Sequence, residues 1–258
     1  MVSEILIFIL AGFATGIITG LVGASAIVVF VPIILLFFNY HIFALIGISL
    51  IVDVFVSLFA LIIYKKFHNI NFKIGFYLSI LAILGAVIGS YVSRFLPNTD
   101  LLGITALITA FTGIMIYRRK PNLKECTSSC KVSKSKFILA IILSFFVGLF
   151  GGGLGSAGGI SIFLLLVFLL NFETHVAIGT SIFVMFFVAF FGSIGHIYYL
   201  NSINFKWIFL VLAVAGGIIG SFFSSKLANI VPEKNLNKIV GIILFALGIL
   251  TFVNQIIL

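Results

Sequence analysis

The sequence predicts an all-α polytopic membrane protein of two homologous halves. They are read as inverted repeats, each with a glycine-broken leading helical segment followed by three transmembrane helices. Composition, hydropathy and an internal repeat predict it. Of the 258 residues, 62% are hydrophobic and 8% charged, whereas a soluble domain carries roughly 25% charged residues. Mean hydropathy is +1.38, and apolar runs of membrane-spanning length, about 20 residues, recur from end to end. Too few polar side chains remain to cover a water-facing surface, which excludes a soluble enzyme, a nucleic-acid-binding domain and a disulfide scaffold. The expected place is the cell membrane, crossed many times, with the lipid bilayer as the main partner and no nucleic acid.

The repeat appears as collinear polar and small residues. At a shift of 132, Gly16-Ile-Ile-Thr-Gly20-Leu-Val-Gly23 meets Gly148-Leu-Phe-Gly-Gly152-Gly-Leu-Gly155, and Asn39 meets Asn171. At the same shift Gly47 meets Gly179 and Ser49 meets Ser181. Ile70-Asn-Phe-Lys73 then matches Ile203-Asn-Phe-Lys206, and Gly85-Ala-Val-Ile-Gly-Ser90 matches Gly216-Gly-Ile-Ile-Gly-Ser221. Apolar composition yields chance Leu and Ile matches; it does not yield ordered Gly, Asn, Ser and Lys matches. The organisation read from this is a first transmembrane repeat over 1–120, a basic cytoplasmic linker over 121–135 and a second repeat over 136–258.

In the first half the apolar runs are 4–38, 43–64, 72–95 and 100–117. In the second they are 137–170, 176–199, 206–228 and 236–256. The leading run of each half has about 34 residues where one crossing needs about 20. Gly20 and Gly23 interrupt the first, and the cluster from Gly151 to Gly159 the second. Each leading run is therefore expected to split into two short helices, 4–19 with 25–38 and 137–149 with 159–170. Met1-Val-Ser-Glu-Ile5 has an acid where a signal peptide has basic residues, so it reads as the start of a retained membrane segment.

Charge placement decides how the halves relate. If each leading run folds back, one side of the membrane holds Lys65, Lys66, Lys73, the seven basic residues from Arg118 to Lys136, and Lys226, Lys234 and Lys238. These are 13, against Arg94 and Lys206 on the other side. If each leading run crosses once, the split is 11 to 4. The cleaner split fits the positive-inside rule and inverted repeats. It places both termini outside and the linker in the cytoplasm. The net charge of +9 is thus topological.

The glycine breaks are the candidate chemistry. Six glycines between Gly151 and Gly159 weaken any helix, at about 1 kcal/mol each against alanine. Broken backbone at membrane depth survives where it is buried in protein or lines a cavity. There, amide N–H groups and the positive ends of half-helices face an anionic group. Gly85, Gly89, Gly216 and Gly220, spaced four apart, read instead as close helix packing. The substrate-binding candidates are Thr19, Gly20, Gly23 and Ser25 at the first break and Gly152, Gly155 and Ser156 at the second. Ser49, Thr180 and Ser181, early in the helices that follow, complete the set. Ser and Thr also bond back to their own helix, which is the bland reading of each. No Lys or Arg lies deep in a run, so an anion has to be held by amides, hydroxyls and helix dipoles.

Asp53 is the acid in the middle of an apolar run, a costly placement that makes it the proton-coupling candidate or a polar group of the pocket, with an inter-helix hydrogen bond as the bland reading. Its counterpart in the second half is Met185. His41, His68, His175 and His196 lie at run ends and read as interfacial. Cys126 and Cys130 share the basic linker, where two ligands are not a metal site. They read as free thiols facing a reducing cytoplasm. The sequence offers no metal cluster, no cofactor motif and no P-loop.

These residues resemble the TauE/SafE family of sulfite and sulfonate exporters. The resemblance rests on two halves of about 120 residues, on the breaks Gly16–Gly23 (with Pro32) and Gly148–Gly159, and on Thr174-His-Val-Ala-Ile-Gly-Thr-Ser181 followed by Asn204-Phe-Lys-Trp207. It implies transport of a small sulfur-containing anion such as sulfite, thiosulfate or an organosulfonate. The expectation is a secondary transporter working by alternating access, with Asp53 or another group as the route for proton coupling, and not an enzyme. The alternatives are an anion channel, an intramembrane enzyme and a structural membrane subunit.

Overall fold

The computed structural model describes residues 2–38, 42–92, 110–111, 113–118, 133–154, 158–202 and 207–257. The first half contributes α1 (Val2–Val22), α2 (Ile27–Phe37), α3 (Ile42–Lys66) and α4 (Phe72–Val92). The second contributes α5 (Lys134–Leu154), α6 (Gly158–Leu164, prolonged by the π-helical turn Leu165–Leu169), α7 (Thr174–Ser202), α8 (Trp207–Ile230) and α9 (Glu233–Ile257). Residues 113–118 form a further helical stretch. Among the described residues, six helices are long and apolar enough to cross a membrane: α1, α3, α4, α5, α7 and α8. Gly155, Ser156, His41, Cys126 and Cys130 lie outside the described residues.

Lipid is as apolar as leucine, so membrane helices associate through small residues that let backbones approach. α4 shows the pattern: its buried face carries Gly75, Ser79, Ala82, Gly85, Ala86, Gly89 and Ser90, while Phe76, Leu84 and Ile88 are exposed. α8 repeats it with Ala213, Gly216, Gly217, Gly220, Ser221, Ser224 and Ser225 inside.

These small faces join the halves crosswise. A Cβ at Gly12 would run into the Ala213 carbonyl, one at Gly16 into the Gly217 carbonyl, and one at Gly20 into the Ser224 hydroxyl. Contacts therefore climb α1 and α8 together, and the two run in the same direction. α5 and α4 are paired likewise, Gly148 on Ala82 and Gly152 on Ala86. α3 and α7 run oppositely: Leu50, near the start of α3, lies against Gly192, whereas Tyr64, near its end, lies against Gly179. The leading helix of each half thus packs on the fourth helix of the other.

The leading segments depart from expectation in the lengths of their legs. α1 has 21 residues, about 31 Å at 1.5 Å per residue, long enough to cross alone, where a shorter helix ending near residue 19 was expected. Gly16 and Gly20 stay helical because α8 backbone and hydroxyls fill the space beside them. The same holds for Gly151, Gly152 and Gly153 at the end of α5, with Gly152 on Ala86 and Gly153 on Gly89. Close interhelical contact offsets the intrinsic helix weakness of glycine. The second leg is short: α2 has 11 residues, about 16 Å. It folds back along α1, so that Phe30 and Phe38 both meet Phe8, at ring separations of 6.0 and 5.7 Å.

Candidate functional site

The first break is residues 23–26, between α1 and α2. Its sharp turn needs Gly23, whose φ of +72° is a left-handed conformation that costs other residues about 1–2 kcal/mol. The Gly23 N–H donates to Thr19 O at 2.8 Å, and the Thr19 hydroxyl donates to Ala24 O at 2.8 Å. The end of α1 is thereby tied off internally.

The start of α2 is held by Asp53 from α3. Ser25 Oγ donates to Asp53 Oδ2, and the Ala26 N–H donates to Asp53 Oδ1 at 2.7 Å. Both Ser25 and Asp53 are buried, Asp53 completely. A carboxylate at a helix N-terminus meets orphan amides and the positive end of the dipole. The chain therefore supplies its own anion at the point where the sequence suggested a substrate anion.

The start of α6 reaches the first break. A Cβ at Gly159 would run into the Gly23 carbonyl and lie 2.8 Å from Met185 Sδ. A Cβ at Gly23 would lie 2.7 Å from Ser181 Oγ. The structure thus brings Gly23, Ser25, Asp53, Ser181, Gly159 and Met185 into one buried region. Met185 stands at the repeat position of Asp53, beside α6 as Asp53 stands beside α2.

The other candidates are placed differently. Ser49 and Ser181 are buried, and each donates back to its own helix, to Ile46 O at 2.8 Å and Ile178 O at 2.9 Å. Thr180 serves the α3–α4 turn, its Oγ1 accepting from the Asn71 N–H at 2.9 Å. Gly20 and Gly152 are packing glycines whose carbonyls accept from a side chain of the opposite leg. Tyr64 Oη donates to Gly20 O at 2.9 Å, and His196 Nε2 donates to Gly152 O at 3.3 Å.

Tyr64, which the sequence reading passed over, and His196, which it read as interfacial, make these contacts. They are partners at the shift of 132, as are Gly20 and Gly152, so one contact is made twice with different chemistry. His196 is fully buried, which corrects its interfacial reading. The usable signal was its alignment with Tyr64. Ser225 was passed over as well: its Oγ is buried and has no partner among the described residues, beside Gly20. Of the remaining histidines, His68 sits in the α3–α4 turn at φ 59°, and His175 bonds the Val231 carbonyl at 2.9 Å. No group of three metal-ligating side chains occurs among the described residues.

Two helical halves that lock crosswise, with six helices among the described residues long and apolar enough to span a membrane, define a polytopic membrane protein. The family follows from comparison: residues 8–251 match the sulfite exporter TauE/SafE family, and the chain belongs to it. It is 29% identical over 235 residues to the "Probable membrane transporter protein YdhB" of Bacillus subtilis, covering 90% of this chain and 94% of that one. It is 24% identical over 262 residues to "Probable membrane transporter protein YunE" of the same organism, covering 94% and 95%. A "Probable membrane transporter protein" of Xylella fastidiosa is 27% identical over 171 residues, covering 64% and 63%. No solved structure matches the chain.

Proposed function

We propose that the protein moves a small sulfur-containing anion (sulfite, thiosulfate or an organosulfonate) across the cell membrane by alternating access, with Asp53 coupling transport to protons. The observation that carries this reading is the hold of Asp53 on Ser25 and the Ala26 amide. A substrate anion approaching the start of α2 meets a carboxylate of its own sign. Protonating Asp53 removes that repulsion and releases the hydroxyl and amide for the substrate. Anion and proton then enter the site together. Charge-assisted hydrogen bonds contribute about 1.5–3 kcal/mol each, so a few give micromolar-to-millimolar affinity once the cost of binding is subtracted. That affinity is compatible with release.

Alternating access is read from inverted halves, 1–120 and 136–258, joined by the basic cytoplasmic linker 121–135. The antiparallel run of α3 and its repeat-mate α7 supports inversion, because repeats related by an axis along the membrane normal keep their mates parallel. A reporter active only in the cytoplasm and fused after Leu258 should stay silent; a strong signal overturns the inverted arrangement.

Flux of labelled sulfite, thiosulfate and an alkyl sulfonate into proteoliposomes tests the function. The expected result is saturable uptake driven by a pH gradient and accelerated by substrate on the far side. Flux without such counterflow is that of a channel, and no flux of any of the three anions rejects the substrate class.

A further inference from the structure

Away from the breaks, the helical stretch 113–118 packs on α9 through Gly113 and Gly241, each set against the other's backbone. Gly248 meets Ala110, and Gly241 meets Tyr117, so the two run antiparallel. Arg118 is therefore at the same end as the beginning of α9. Beside this contact is a groove of about 360 Å³, floored by Gly113 and Gly241 and walled by Ile114, Ile242 and Phe245, with Arg118 at its rim. The volume is within the range of small-ligand pockets, about 300–1,000 Å³.

Lys234 and Lys238 precede Gly241 and Phe245 at helical spacings of four, three and four, so all four residues share one face of α9. Both lysines and Arg118 are exposed, and none of the three has an ion-pair partner among the described residues. Glu233 is the acid of α9, and its Oε1 is engaged by the Thr174 N–H at 2.7 Å. The groove is thus apolar along its length and cationic at one end, where the amide end of α9 adds its positive dipole. Tyr117, half exposed beside Arg118, fits the aromatic belt of a membrane interface.

We propose that this groove seats one anionic phospholipid, its acyl chain between the 113–118 stretch and α9 and its phosphate on Arg118, Lys234 and Lys238. Charge complementarity selects the ligand: basic pockets between membrane helices at the positive side bind anionic headgroups, and the apolar walls of Ile114, Ile242 and Phe245 suit an acyl chain. The site is separate from the breaks, so its failure leaves the transport reading intact.

Native mass spectrometry of the full chain, released from micelles containing equal phosphatidylglycerol and phosphatidylcholine of matched chains, tests the proposal. The expected result is one retained phosphatidylglycerol per chain, preferred about tenfold or more. The double substitution Arg118→Gln with Lys238→Gln should remove the preference, and Ile114→Trp, which fills the groove, should remove retention. Arg118→Lys keeps the charge and should keep the preference, which guards against a folding defect. Equal retention of both lipids, undiminished retention in Ile114→Trp, or displacement of the lipid by inorganic phosphate alone would each overturn it.

Discussion

The two broken segments share a scaffold and differ in chemistry. In each half a long helix ends at the repeat-matched residues Val22 and Leu154, and a short helix follows. In each, the third helix sends a side chain at one repeat position to one repeat-matched carbonyl. Yet the first half sets Asp53 at the start of its short helix and the second sets Met185 beside its own. The first half closes its carbonyl contact with a tyrosine, and the second with a histidine. Symmetry builds the frame; the departures from it carry the titratable groups. A symmetric pair of carboxylates would place two buried like charges near one site, and one of them would have to stay protonated.

The largest effect is expected where the start of α6 touches the first break. Gly159→Val drives a side chain into the Gly23 carbonyl and Met185, with no flexible neighbour to yield on the backbone side. Transport should fall at least 100-fold while the protein still inserts and purifies as a monodisperse peak. Near-normal flux would show that the breaks do not need to meet.

Next comes the comparison of Asp53 with Met185. Asp53→Asn keeps the shape and removes the charge, so uptake driven by a pH gradient should be lost while counterflow at symmetric pH persists. Met185→Leu conserves volume, costs less than about 1.5 kcal/mol and should leave gradient-driven uptake within about twofold. If the two substitutions behave alike, Asp53 is a structural cap and the asymmetry has no role in coupling.

Much of this frame was legible in the sequence, and the reasons are physical. Glycines and hydroxyls at a fixed shift mark the two halves because helices in lipid pack through small residues. Gly23 was legible as a break because a left-handed turn needs glycine. The run from Gly151 to Gly153 was misread as broken because its stabilising partner, the backbone of α4 at Ala86 and Gly89, lies some 65 residues away in the chain. The role of Asp53 was half legible. Its cost in an apolar run points to function, but its partners, Ser25 and the Ala26 amide, come from another helix. Thr180 shows the limit of a symmetric reading: its partner is the Asn71 amide, while the first half has Ile48 at that position.

The smallest effects belong to Tyr64 and His196, and they sharpen the comparison most. Tyr64→Phe removes a buried donor to the Gly20 carbonyl and should cost about 1–3 kcal/mol, lowering the thermal midpoint by the same amount at pH 6 and pH 8. His196→Phe removes the matching donor to Gly152 and should lower the midpoint by a comparable amount. His196→Tyr copies the first half into the second; it should restore the contact and recover most of the midpoint lost in His196→Phe. If His196→Tyr is no more stable than His196→Phe, the two repeat-matched contacts are not equivalent and the halves differ in packing as well as at Asp53.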